Sequence, residues 1–203
     1  MDARIIPFPG ARRPEATGRT VWASGVVPLP ADAPAPEPVT EVSLELRRLV
    51  HAGSRLRGAA ERATRDRCAR AAMGSLDAAG GRLRLAGTRE HPVIEATFGG
   101  ENGALRAAQG TLEAGEAVRR AGANEFVVSA AVASGSAVVH DGLRVELGAP
   151  GSVADLLREN AAPGQVLLGG PSWGESDRVE VLEARSLEHG ERSVPVFVLR
   201  DLR

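Results

Sequence analysis

Apolar and charged residues alternate through Leu143, Arg144, Val145, Glu146 and Leu147, the pattern of a strand with one buried face. The turn Gly148-Ala149-Pro150-Gly151 follows. Ser152 then stands three residues before Asp155, which is capping-box spacing, so a helix is expected to start at Ser152. Asp155 also suits the positive end of that helix. Val153, Leu156 and Leu157 supply its apolar face, and Pro163-Gly164 stops it. Val166-Leu167-Leu168 opens another strand.

The rest of the chain can be read the same way. Residues 1–19 mix Pro, Gly and Arg without periodicity and are expected to be a disordered tail. Residues 20–27 read as a strand, and the Pro-Ala stretch to Pro38 as a semi-rigid linker. Thr40 suits an N-cap, and Val42, Leu46, Leu49, Val50 and Leu56 follow helical spacing, so a helix is expected over 40–56. A second helix is expected over 59–77, closed by Gly80-Gly81. Strands are expected at 93–98, 125–139, 179–184 and 194–199. Asn102 is placed to cap a helix carrying Leu105, Ala108, Leu112 and Val118 on one face and ending at Gly122. Asp141-Gly142 is a hairpin signal, and Trp173 is placed to anchor a turn onto the core.

Composition narrows the chemistry. A chain of 203 residues that is 43% hydrophobic can hold one domain with a real core, here expected over 39–203. Net charge is -1, which gives no field of the kind nucleic acid requires. All 25 basic residues are Arg, so lysine chemistry, including a P-loop lysine, is excluded. A single cysteine, Cys68, permits no internal disulfide and fits a reducing cytoplasm. No apolar run approaches the ~20 residues of a membrane span. The four histidines are scattered without metal-ligand spacing.

Several stretches, taken in order, resemble class III adenylate and guanylate cyclase domains. Gly80-Gly81-Arg82-Leu83-Arg84-Leu85 resembles that family's G-G-x-V-x-K segment. Residues 125–139 resemble its R-x-G-I-H-x-G-E-V-V strand pair. Gly148 to Val166 resembles its G-D-x-V-N-x-A-A-R-L segment with the P-G-x-V that follows. The closing pair of strands resembles its final hairpin. The resemblance covers residues 80–200 well and 20–79 loosely. It implies a ferredoxin-like α/β (α+β) sandwich, with a mainly antiparallel sheet and helices packed on it.

The same resemblance implies where catalytic residues would stand. Cyclases use two carboxylates to hold two metal ions, and an Asn and an Arg to hold the ribose and the transition state. The first-strand metal Asp falls on Ser24. The second falls on Arg89 or Pro92. The Asn falls on Ser152 and the Arg on Leu156. Scaffold residues Gly148, Leu157, Pro163 and Gly164 match, and the catalytic ones do not. The expectation is therefore a non-enzyme without cofactor or metal: a cyclase-like domain serving protein interaction, dimerisation or regulation. Its partner would be another protein, itself in a homodimer, or a larger bacterial assembly. The alternative is a sensor that binds a nucleotide or small anion in the cleft, with Arg84 and Arg89 as anion contacts.

Overall fold

The computed structural model describes residues 19–22, 25–28, 35–49, 56–88, 90–140, 143–147, 150–169, 173, 178–189 and 192–202. The expectation for the tail over 1–18 lies outside them. Two short strands, β1 (Arg19–Trp22) and β2 (Gly25–Pro28), pair antiparallel with each other in their own sheet. The single strand expected at 20–27 is therefore two strands.

The main sheet begins at β3 (Glu37–Arg48), where a helix was expected. The physical reason is visible in the residues. Glu41, Ser43 and Glu45 alternate with Val42, Leu44 and Leu46, which is a period of two. Val39, Thr40 and Val42 are β-branched and favour extended backbone. The helical reading relied on Leu49, Val50 and Leu56, which all lie beyond the end of the strand.

After β3 come α1 (Gly58–Ala78), β4 (Arg82–Gly87), β5 (Pro92–Gly99), α2 (Gly103–Ala121) and β6 (Phe126–His140). They are followed by β7 (Leu143–Leu147), α3 (Pro150–Asn160), β8 (Val166–Gly169), β9 (Val179–His189) and β10 (Arg192–Leu202). The strands form one eight-stranded sheet in the order β4-β5-β3-β6-β8-β10-β9, with β7 also on β6. Among the described residues only the β6–β8 pairing is parallel; the other ladders of the sheet are antiparallel. The 15-residue β6 is long enough to carry β3 on one edge and both β8 and β7 on the other. This is the mixed α+β sandwich expected from the sequence.

The two faces of the sheet bury different things. On one, α1 and α2 cover Val42, Leu44, Leu46, Ile94, Ala96, Phe98, Val128 and Val132, and Trp173 joins that cluster. Helix α1 contributes Thr64, Cys68, Ala72 and Leu76 at four-residue spacing, one stripe of a 3.6-residue helix. On the other face, Leu157 of α3 and Ala161 just after it pack against Ala131, Leu167, Val196 and Val198. The turn after α3 uses Gly164 at φ +86°, a left-handed conformation that glycine adopts without steric cost. Its N–H donates to the Val128 carbonyl at 2.8 Å, which sets β8 beside β6.

Candidate functional site

The α3 side of β3 and β5 is not closed by apolar packing. Because strand side chains alternate, Glu41, Ser43 and Glu45 of β3 leave the core face together, and Glu95 and Thr97 of β5 do the same. The edge strand β4 adds Arg82 and Arg84, and the first turns of α3 add Gly151, Ser152 and Asp155. All of these except Glu45 line an open cleft of about 580 Å³.

Most of the charges in this cleft are held by a neighbouring side chain. Arg84 Nε donates to Glu95 Oε2 at 2.6 Å, and the Glu95 carboxylate holds the Arg84 guanidinium further into its protonated form. The Thr97 hydroxyl donates to Glu41 Oε2 at 2.8 Å. The Ser43 hydroxyl donates to Asp155 Oδ1 at 2.7 Å. The lining holds two arginines, Arg82 and Arg84, against three carboxylates, Glu41, Glu95 and Asp155.

Beside the cleft lies a buried ion network that joins β3 to α3. Arg158, at 9% exposure, donates from Nη1 to Glu45 Oε2 at 3.0 Å and from Nε to the Ser43 hydroxyl oxygen at 3.0 Å. Its Nη2 reaches Glu159 Oε1 at 3.2 Å. The same Glu45 oxygen also meets Arg47 Nη2 at 2.9 Å. A guanidinium held this deep needs its donors satisfied, and this one is.

The sequence-expected site residues scatter around this geometry. Ser24, Arg89 and Gly148 lie outside the described residues. Arg84 lines the cleft. Pro92 is the buried first residue of β5, paired with Gly87, and offers no side-chain oxygen. Ser152 lines the cleft from an exposed position in the first turn of α3. It is not the residue that starts the helix, which begins two positions earlier at Pro150. Proline suits that first position because its fixed φ is already helical and its missing N–H would be unpaired anyway. Leu156 is half-buried on α3 and is not among the cleft-lining residues, whereas Leu157 is fully buried.

Sequence reasoning missed Glu41, Ser43, Glu45, Glu95, Thr97, Asp155 and Arg158 as a group. Their signal was present: polar residues at every second position of 41–45, and Asp155 three residues before Arg158. The strand that opens the main sheet is β3, and it places Glu41 and Glu45 on the α3 side of the sheet.

A divalent metal does not fit these residues as they stand. Hard cations take several carboxylate or carbonyl oxygens, yet one Glu45 oxygen already meets two guanidinium groups. At the start of β5, Pro92 supplies no second ligand. Among the described residues no group of three His, Cys, Asp or Glu could hold a metal ion.

No protein-family model and no curated protein matches the sequence. Solved structures do match by fold. The guanylyl cyclase Cya2 shares 16% identity, covering 84% of this chain and 95% of that one, with a TM-score of 0.64. The adenylyl cyclase CyaB from P. aeruginosa shares 14%, covering 83% and 96%, with a TM-score of 0.58. The guanylate cyclase domain of RhGC from Catenaria anguillulae, in complex with GTP, shares 12%, covering 82% and 98%, with a TM-score of 0.58. The fold is thus that of the class III adenylate and guanylate cyclase domains. These neighbours correct the expectation of a non-enzyme. They are named as cyclases, and a fold shared with cyclases gives a non-enzyme no support. Among the described residues no helix is long and apolar enough to cross a membrane.

Proposed function

We propose that the chain is a cyclase-fold regulatory module that self-associates through the open α3-side face of β4, β5 and β3. The observation that carries this reading is the charge pattern of the face. Arginines sit on the edge strand at Arg82 and Arg84, and carboxylates sit further in at Glu41, Glu95 and Asp155. A second copy related by a two-fold axis would bring the arginine edge of each protomer over the carboxylates of the other. A two-fold interface must be self-complementary, and a face carrying both signs in separate rows meets that condition.

The test is sedimentation equilibrium of the full chain. Dimer formation that is lost in the charge reversal Arg82→Glu/Arg84→Glu supports the reading. A monomer at every concentration, or a dimer indifferent to the reversal, contradicts it.

A second reading is favoured by the neighbours. One of them is described in complex with GTP and another with ATPαS. The cleft here is open, and Leu156 does not fill it. In this reading the cleft takes a purine nucleoside triphosphate, and Arg82 supplies the anion contact, because no carboxylate is paired with it among the described residues. Thermal unfolding with ATP or GTP, with and without Mn²⁺, together with product analysis for cyclic nucleotide, tests it. A saturable upward shift that Arg82→Ala removes supports nucleotide binding. Cyclic product would establish turnover, and neither signal would leave self-association as the reading.

A further inference from the structure

The site that fails to fit a metal ion contains a cation of its own. Arg158 enters the sheet face from α3 and ends between Glu45 and Ser43 of β3, with its guanidinium buried. Ser43 relays the contact: its hydroxyl oxygen accepts from Arg158 and its proton goes to Asp155. Arg158 Nε lies 3.8 Å from that same Asp155 oxygen. One positive group thus stands between a strand carboxylate and a helix carboxylate, where a divalent ion could otherwise bridge the two. A guanidinium does this with directed N–H donors and a permanent charge.

We propose that Arg158 is a built-in counter-cation that takes the place of a divalent ion between β3 and α3 and latches the helix to the sheet. The carboxylates of Glu45 and Asp155 are therefore satisfied without metal, and the folded chain is indifferent to it. Removing the guanidinium would leave Glu45 with Arg47 alone and Asp155 with the Ser43 hydroxyl alone, and turn the position into one that recruits a divalent cation. The inference does not depend on self-association or on nucleotide binding, since it concerns only the join between strand and helix.

The experiment is thermal unfolding of the full chain in metal-free buffer and in MnCl₂, with Mn²⁺ binding read separately by water-proton relaxation. The wild-type midpoint is expected to be the same in both buffers, with no saturable Mn²⁺ binding. Arg158→Met is expected to melt lower in metal-free buffer. MnCl₂ should then raise it by about 5 °C, the response of a chain of this size to a ligand at roughly 100 times its Kd. In Arg158→Met/Glu45→Gln the Mn²⁺ response should vanish. Saturable Mn²⁺ binding by the wild type that Glu45→Gln abolishes would overturn the proposal. So would an Arg158→Met protein as stable as wild type, or one that MnCl₂ does not raise. If Arg158→Met folds in neither buffer, the double variant decides: a folded double variant supports the latch, and an unfolded one overturns it.

Discussion

The two faces of the sheet start from the same strands and end in different physics. On the α1–α2 side, β3 and β5 present Val42, Leu44, Leu46, Ile94, Ala96 and Phe98, and two long helices exclude water from them. On the α3 side, the intervening residues are Glu41, Ser43, Glu45, Glu95 and Thr97, and one short helix covers only part of the area. The first face holds the chain together through apolar area, which is additive and non-directional. The second depends on a few directed contacts, each of which leaves an unpaired polar group when its partner is removed. The apolar face therefore secures the fold, and the polar face is the one on which the proposed self-association rests.

The largest predicted effect lies on the apolar face. Leu44 is fully buried at the centre of β3. Leu44→Ala should cost about 4 kcal/mol in denaturant unfolding, the upper part of the range for a core truncation that leaves a cavity. A loss as small as that of an exposed residue would mean the two faces are not distinct.

Next comes the polar face at its buried end. Arg158→Met should cost about 3 kcal/mol, because it leaves Glu45 facing only Arg47 in a partly buried setting. Arg158→Met/Glu45→Gln should recover much of that loss, since both partners are then neutral. Equal losses in the single and double variants would show that Arg158 acts through packing and not through charge.

Ser152 sharpens the comparison at the cleft rim. Capping-box spacing would assign it about 1 kcal/mol as an N-cap. In the structure it lies inside a helix that starts at Pro150, and it is exposed, so Ser152→Ala should stay within about 0.5 kcal/mol of wild type. A full cap-sized loss would restore the helix start at Ser152.

The smallest effect is at Cys68, on the apolar side. Burial pushes its thiol up, with the nearby Arg67 charge opposing. A raised folded-state value favours the protonated thiol, so the stability it adds is complete below the ordinary thiol range of about 8.5 and is lost as pH rises through the higher folded value. A thiol reagent at pH 8 should react slowly with the native chain and quickly after denaturation. Fast native reaction would place Cys68 outside the α1–α2 core.

Much of the fold was legible because its second half obeys simple periods. The alternation through 143–147, the Pro163-Gly164 stop and the closing hairpin all become the elements they imply, although β9 and β10 run longer than expected. The start of the sheet was misread. Val42, Leu46 and Leu49 fit a helix as well as a strand, and only the charged residues at 41 and 45 and the serine between them separate the two. That reading hid the alternation of Glu41, Ser43 and Glu45 that sets them on the α3 side of the sheet. Arg158 could not be found from spacing alone. Its role comes from a helix and a strand more than a hundred residues apart meeting on one face, and nothing local in the sequence records that meeting.

The most direct test of the account is amide hydrogen exchange of the full chain at low and high protein concentration. Self-association through the polar face predicts added protection at high concentration in β4, β5 and the first turns of α3, with α1 and α2 unchanged. Exchange that does not depend on concentration, or new protection confined to α1 and α2, would contradict it.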